Sequence, residues 1–112
     1  MTTEDAMAGA IEITTFKLKI GSSKDFVHAN ADIDAWLRRQ PGFLSRHIAE
    51  IDDGTIVDIL FWRSQDEAED AASRIMTETS SSEVHAMINH GTVVWRVAAI
   101  NHETEMLGST KL

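Results

Sequence analysis

The 112-residue sequence has no cysteine, no tyrosine, a single proline, and only 10 basic residues against 18 acidic ones. Without cysteine there is no disulfide, no thiolate catalysis, and no Cys-ligated zinc or iron–sulfur site. The net charge of −8 repels phosphate backbones and anionic lipid, so neither nucleic acid nor a membrane surface is an expected partner. No apolar run approaches the roughly 20 residues that cross a bilayer. The opening residues, MTTEDAMAGA, lack the basic start and apolar run of a secretory signal. These absences describe a soluble, cytoplasmic protein.

What is present fits one globular domain, with 43% hydrophobic and 25% charged residues. Residues 1–9 read as a loose leader, 10–101 as the domain and 102–112 as a polar tail. Ala10 to Ile20, AIEITTFKLKI, alternates β-branched and aromatic residues and predicts a strand. Ile11, Ile13 and Thr15 point one way, and Thr14, Phe16 and Leu18 the other. Ser22 with Asp25 makes a capping box that opens a helix over 24–39, striped by Phe26, Ala29, Ile33, Trp36 and Leu37. Asn30 lies mostly off that stripe, and Pro41-Gly42 ends the helix.

The next stretch organises the chain. Phe43 to Ile51 and Thr55 to Arg63 read as two strands joined at Asp52-Asp53-Gly54, a strong hairpin signal. Leu44, Arg46, Ile48 and Glu50 share one face of the first strand, and Ser45 and His47 the other. Ile56, Asp58, Leu60 and Trp62 share one face of the second. Ser64 and Glu67 form a capping box for a helix to Glu78, with Ala68, Ala71, Ala72, Ile75 and Met76 on its stripe. A short helix over 83–89 and a last strand from Thr92 to Asn101 complete the pattern. The order β-α-β-β-α-β is that of ferredoxin-like α+β folds. Two helices cover one face of such a sheet. The other face then carries Leu44, Ile48, Leu60, Trp62, Trp95 and Val97, is too apolar for water and calls for a second copy, so a homodimer is expected.

The QPGF helix end, the DDG reversal, and FWRS before an alanine-rich helix resemble the dimeric α+β barrel superfamily. Within it the resemblance is to the antibiotic-biosynthesis-monooxygenase-like (ABM-like) group. It implies a dimeric barrel of ferredoxin-like protomers, and either cofactor-independent oxidation of a small aromatic or polyketide-like substrate, a non-catalytic ligand-binding or accessory role, or an isomerase or cyclase. The haem-degrading branch pairs a first-strand Asn with a helical Trp and His. Here there is no Asn between Ala10 and Ile20, and Ala71 and Ala72 stand where that Trp is sought.

For a cofactor-free oxygenase the resemblance implies aromatic walls and hydrogen-bond donors for an enolate oxygen. Phe16, Trp62 and Trp95 supply the walls, and Arg46, Arg96 or His47 the donors, while the missing tyrosine leaves any phenolic role vacant. No cofactor is expected. His28, His85, His90 and His102 show no ligand spacing such as HxxxH, so no metal is expected either. Asp58, in mid-strand, needs a partner. Pairing Ile48 with Asp58 makes Arg46 its diagonal neighbour, whereas a register shifted by one brings His47 beside it. Asp58 then reads either as a structural ion pair or as the carboxylate that orients a catalytic Arg or His. Trp62 and Trp95 read either as core or interface residues or as pocket walls.

Overall fold

Period-two alternation builds a single antiparallel sheet from β1 (Ala10–Leu18), β2 (Phe43–Glu50), β3 (Ile56–Trp62) and β4 (Ile88–Ala99), in the order β2-β3-β1-β4. The structure is a computed structural model and describes residues 9–105. Most of the expected leader and tail lies outside those residues. Gly9 does not belong to a leader: its N–H bonds the Trp62 carbonyl and its carbonyl accepts from Ile100, extending the ladder. The protomer is ferredoxin-like α+β, as its order predicts.

Residues opposed in a ladder project from the same face, so the register defines rows across the sheet. Arg46, Leu60, Glu12 and Val97 form one row, and Ile48, Asp58, Thr14 and Trp95 the next. Between them, on the opposite face, runs His47, Ile59, Ile13 and Arg96. The hairpin therefore adopts the register that pairs Ile48 with Asp58. A bulge between Phe43 and Ser45 swings Phe43 onto the face of Trp62, where the rings meet edge-on at 5.5 Å.

The expected interface face is corrected here. Leu60 and Trp62 do not face a second copy. They are buried within one chain, in a core that takes Phe26, Ile33, Trp36, Leu37, Ala68 and Ala71 from the helices. Alternation shows which residues share a face but not which face the helices cover, and both faces of the central strands are apolar. The face left half-exposed carries Ile11, Ile13, Val57, Ile59 and Phe61 instead.

The predicted first helix is also two helices, α1 (Ser23–Ala29) and α2 (Ala31–Arg38), broken at Asn30. The Ser22 box forms as expected: Oγ accepts from Asp25 N at 3.2 Å, and Asp25 Oδ2 accepts from Ser22 N at 3.0 Å. In α3 (Gln65–Glu78), Ser64 Oγ caps Glu67 N at 3.1 Å, while the Glu67 carboxylate takes the Ser64 hydroxyl. Ala68 and Ala71 press that helix onto the sheet, whereas Met76, placed on the same stripe by the sequence, is 54% exposed. A single turn, α4 (Val84–Met87), leads directly into β4. Among the described residues no helix is long and apolar enough to cross a membrane.

Candidate active site

Between the helix-covered face of the sheet and the helices lies a cavity of about 500 Å³. Phe16, Phe26, Ile33, Leu37, Leu60 and Val84 give it apolar walls, and Glu12, Arg46 and Asp58 bring charge to it. An ionised group placed there loses hydration and must be held by fixed partners.

Glu12 occupies the centre of this arrangement. It lies on the central strand β1, opposite Leu60 on one side and Val97 on the other. Two positions along each neighbouring strand, on the same face, stand Trp62 and Trp95. Each indole donates to one carboxylate oxygen, Trp62 Nε1 to Oε1 at 2.8 Å and Trp95 Nε1 to Oε2 at 2.6 Å. Burial pushes the Glu12 carboxyl up. The two indole hydrogen bonds pull it back and the nearby Asp58 charge adds to the rise, leaving it above the ordinary carboxylate range. Such a group is a stronger base than a surface glutamate.

Arg46 and Asp58 are diagonal neighbours across the hairpin and pair in a two-pronged bond, Nε to Oδ1 at 3.0 Å and Nη2 to Oδ2 at 2.7 Å. Both side chains are only 10% exposed. The third prong, Nη1, donates to Asp34 Oδ1 on α2 at 2.9 Å and so ties sheet to helix. Burial works against the Arg46 charge, but the hydrogen bonds and charges of Asp58 and Asp34 outweigh it and hold the guanidinium more firmly protonated.

The structure thus brings Phe16, Arg46, Asp58 and Trp95 to the cavity wall. Trp62, 1% exposed, is buried against Glu12 and Phe43. His47 and Arg96, expected as donors in the pocket, lie on the other side of the sheet, one residue out of phase with Arg46 and Trp95. His47 is exposed and packs edge-on against Phe61 there, at 6.0 Å.

Several cavity residues were given no site role from the sequence, among them Glu12, Asn30, His85 and His90. Glu12 shares parity with Thr14 and Phe16, which places it on the cavity face of β1. His85 Nε2 sits 3.0 Å from the Thr79 carbonyl. A carbonyl only accepts, so that nitrogen carries the hydrogen. Among the described residues no cluster of three or more His, Asp or Glu side chains is placed to hold a metal ion.

No protein-family model matches the chain, and no curated protein matches it in sequence. Its shape does have counterparts. It is similar to a dimeric ferredoxin-like protein from an uncultured marine organism, with 9% identity over 95% of this chain and 99% of that one, at a TM-score of 0.69. SnoaB, a cofactor-independent oxygenase from Streptomyces nogalater, is 18% identical over 87% of this chain and 97% of its own, at a TM-score of 0.66. A monooxygenase of Streptomyces coelicolor, solved with the ligand nanaomycin D, is 20% identical over 95% and 99%, at a TM-score of 0.62. The class these define is the ferredoxin-like α+β protein. Solved structures described as antibiotic biosynthesis monooxygenases, from Chloroflexus aurantiacus and Nitrosomonas europaea, are similar in shape as well, at TM-scores of 0.61 and 0.63.

Proposed function

We propose that the chain is a cofactor-independent monooxygenase of the cytoplasm that works as a homodimer and oxidises a small aromatic or polyketide-like substrate in this cavity. The observation that carries the reading is the buried Glu12 carboxylate, held between two indoles in the wall of an apolar chamber. The oxygenase folds among its neighbours, one of them bound to nanaomycin D, support the reading and the substrate class.

In this mechanism Glu12 takes a proton from an acidic C–H of the substrate, and the resulting charge spreads onto a ring oxygen that Arg46 stabilises. Asp58 positions Arg46, and apolar side chains such as Phe16, Ile33 and Leu60 surround the carbanion. The electron pair passes to dioxygen, a C–O bond forms, and the peroxide takes up a proton. Loss of water then leaves a carbonyl, so one CH₂ and one O₂ become one C=O and one H₂O.

An oxygen electrode tests this with a panel of anthrone-type phenols. The expected result is consumption of one dioxygen per quinone formed, with kcat reduced about 100-fold or more in Glu12→Gln. Asp58→Asn is expected to lower kcat less than Glu12→Gln. Tight binding with no oxygen uptake would replace this reading with a ligand-binding accessory protein. Conversion of the substrate without oxygen would replace it with an isomerase or cyclase.

A further inference from the structure

The two indoles that hold Glu12 are not equally held themselves. Trp62 is 1% exposed and packs edge-on against Phe43 in the core. Trp95 is 44% exposed, although its 2.6 Å bond to Glu12 Oε2 is the shorter of the two. It sits on the edge strand β4, where the β1–β4 register jumps from Thr15 opposite Val94 to Lys17 opposite Asn89, and residues 90–93 bulge out of the ladder. It also stands at the opening of the cavity. The exposed residues of the cavity wall all come from α3 and β4: Glu69, Ser73 and Met76 on one stripe of the helix, and His90, Val93 and Trp95 on the strand. The mouth therefore lies between α3 and β4, and the Trp95 indole reaches from its rim inward to Glu12.

An N–H bonds a carboxylate about twice as strongly as it bonds a neutral acceptor. Once Glu12 takes up a proton, one of its oxygens becomes a hydroxyl, and a single good acceptor is left for two indoles. Trp62 cannot leave without stranding its N–H in the core, whereas Trp95 can exchange Glu12 for water. We infer that Trp95 is the positioning residue that ties access through the mouth to the proton on Glu12: the carboxylate draws the indole inward, and the acid lets it go. This rests on reading Glu12 as the base. In the proposed reaction the release falls where dioxygen has to reach the carbanion. The charged groups facing Glu12 are Asp58 of β3, which opposes its ionisation, and Arg46 of β2, which favours it. Glu69 of α3, His85 of α4 and His90 of β4 are the remaining titratable groups on the cavity wall, and α1 and α2 bring none.

The indole N–H signals in the NMR spectrum of the purified, isotope-labelled full chain test this without any substrate. There are three tryptophans; Trp95→Phe assigns one signal, and Trp36, which donates to Glu78 instead, serves as the control. As pH falls and Glu12 takes up its proton, the Trp95 and Trp62 signals shift together. Only Trp95 then gains fast motion, read as a drop in its heteronuclear NOE. Glutamine offers one acceptor oxygen, which the buried Trp62 retains, so in Glu12→Gln the Trp95 indole is mobile at every pH and the shared transition is gone. A transition that persists in Glu12→Gln belongs to His85 or His90 and overturns the inference, as does a Trp95 indole equally rigid on both sides of the transition. In turnover, Trp95→Phe removes a donor that favours the carboxylate, so the acidic limb of kcat/KM moves to higher pH. A limb that stays in place while KM alone rises makes Trp95 a wall and nothing more. Oxygen uptake and the indole signals are read separately: the expected titration without oxygen uptake removes the proposed function and keeps the link, and the reverse result removes the link alone.

Discussion

Trp95 reaches back across 83 positions of sequence to place its indole N–H 2.6 Å from Glu12 Oε2. Together with the Trp62 bond to the other oxygen, this makes one carboxylate the joint between the central strand and both of its neighbours. Burial holds the Glu12 carboxyl above its ordinary value of 4.5. The folded state therefore binds this proton more tightly than the unfolded chain does, so the contribution of Glu12 to stability is complete below that ordinary value and is lost as pH rises through the raised one. Urea denaturation from about pH 4 to about pH 8 should show it as a difference between wild type and Glu12→Gln that shifts against the wild type with rising pH. A flat difference would mean that Glu12 is no more buried than a surface carboxylate.

The Arg46–Asp58 pair makes a second prediction. Removing one member leaves a desolvated charge alone, while removing both leaves only a hydrophobic repacking. Arg46→Met and Asp58→Leu should each cost about 3 kcal/mol, and the double variant should recover most of that loss. Asp34 moderates the Asp58→Leu change, because it still holds Arg46 Nη1. Denaturant midpoints for the four proteins in the cycle provide the check, and additive losses would rule out the coupling.

Much of this site follows from alternation and register. The Asp52-Asp53-Gly54 reversal leaves two registers open, and the structure adopts the one in which Ile48 meets Asp58 and Arg46 is the diagonal partner. What alternation does not contain is the third dimension. The rows of Leu60 and His47 are both apolar enough to be covered, and nothing local says which lies under the helices. The error for His47 and Arg96 has the same origin, since each is one residue from a cavity residue and so on the opposite face. Glu12 was hidden for another reason. A charged residue in an apolar strand reads as a solvent-facing position until its two indole donors arrive from segments 50 and 83 residues away. Asn30 was hidden because it suits a helix surface as well as a helix break. Only packing of the break against Phe26 tells the two apart.

Gly42 gives a prediction about the turn that launches the hairpin. Its φ of +84° is a conformation that glycine adopts without strain. A methyl group there would also collide with the Glu67 carboxylate, which is held by the Ser64 hydroxyl at the start of α3. Gly42→Ala should therefore cost about 1–3 kcal/mol. Introduced into Glu67→Ala it should cost less, because only the backbone strain remains. Thermal unfolding of the three variants separates the collision from the strain. Equal costs in both backgrounds would mean that Glu67 simply swings aside.

The two faces of β3 make opposite predictions at adjacent residues. Ile59 lies on the half-exposed face, in a row flanked by the exposed His47 and Arg96, whereas Leu60 is buried under the helices. If a second copy covers the open face, Ile59→Lys sets a charge at the centre of that contact without disturbing the protomer core. Light scattering after size exclusion should then report the 12.4 kDa protomer in place of twice that mass, with the circular dichroism unchanged. Leu60→Lys drives an ammonium into the core instead and should cost about 3 kcal/mol or more, lowering stability before it alters assembly. A wild-type chain that elutes as a protomer at micromolar concentration would leave Ile59, Ile13 and Phe61 half-exposed in solution and would remove the homodimer from the proposal. Dissociation by Leu60→Lys in a folded protomer would return the interface to the cavity side of the sheet.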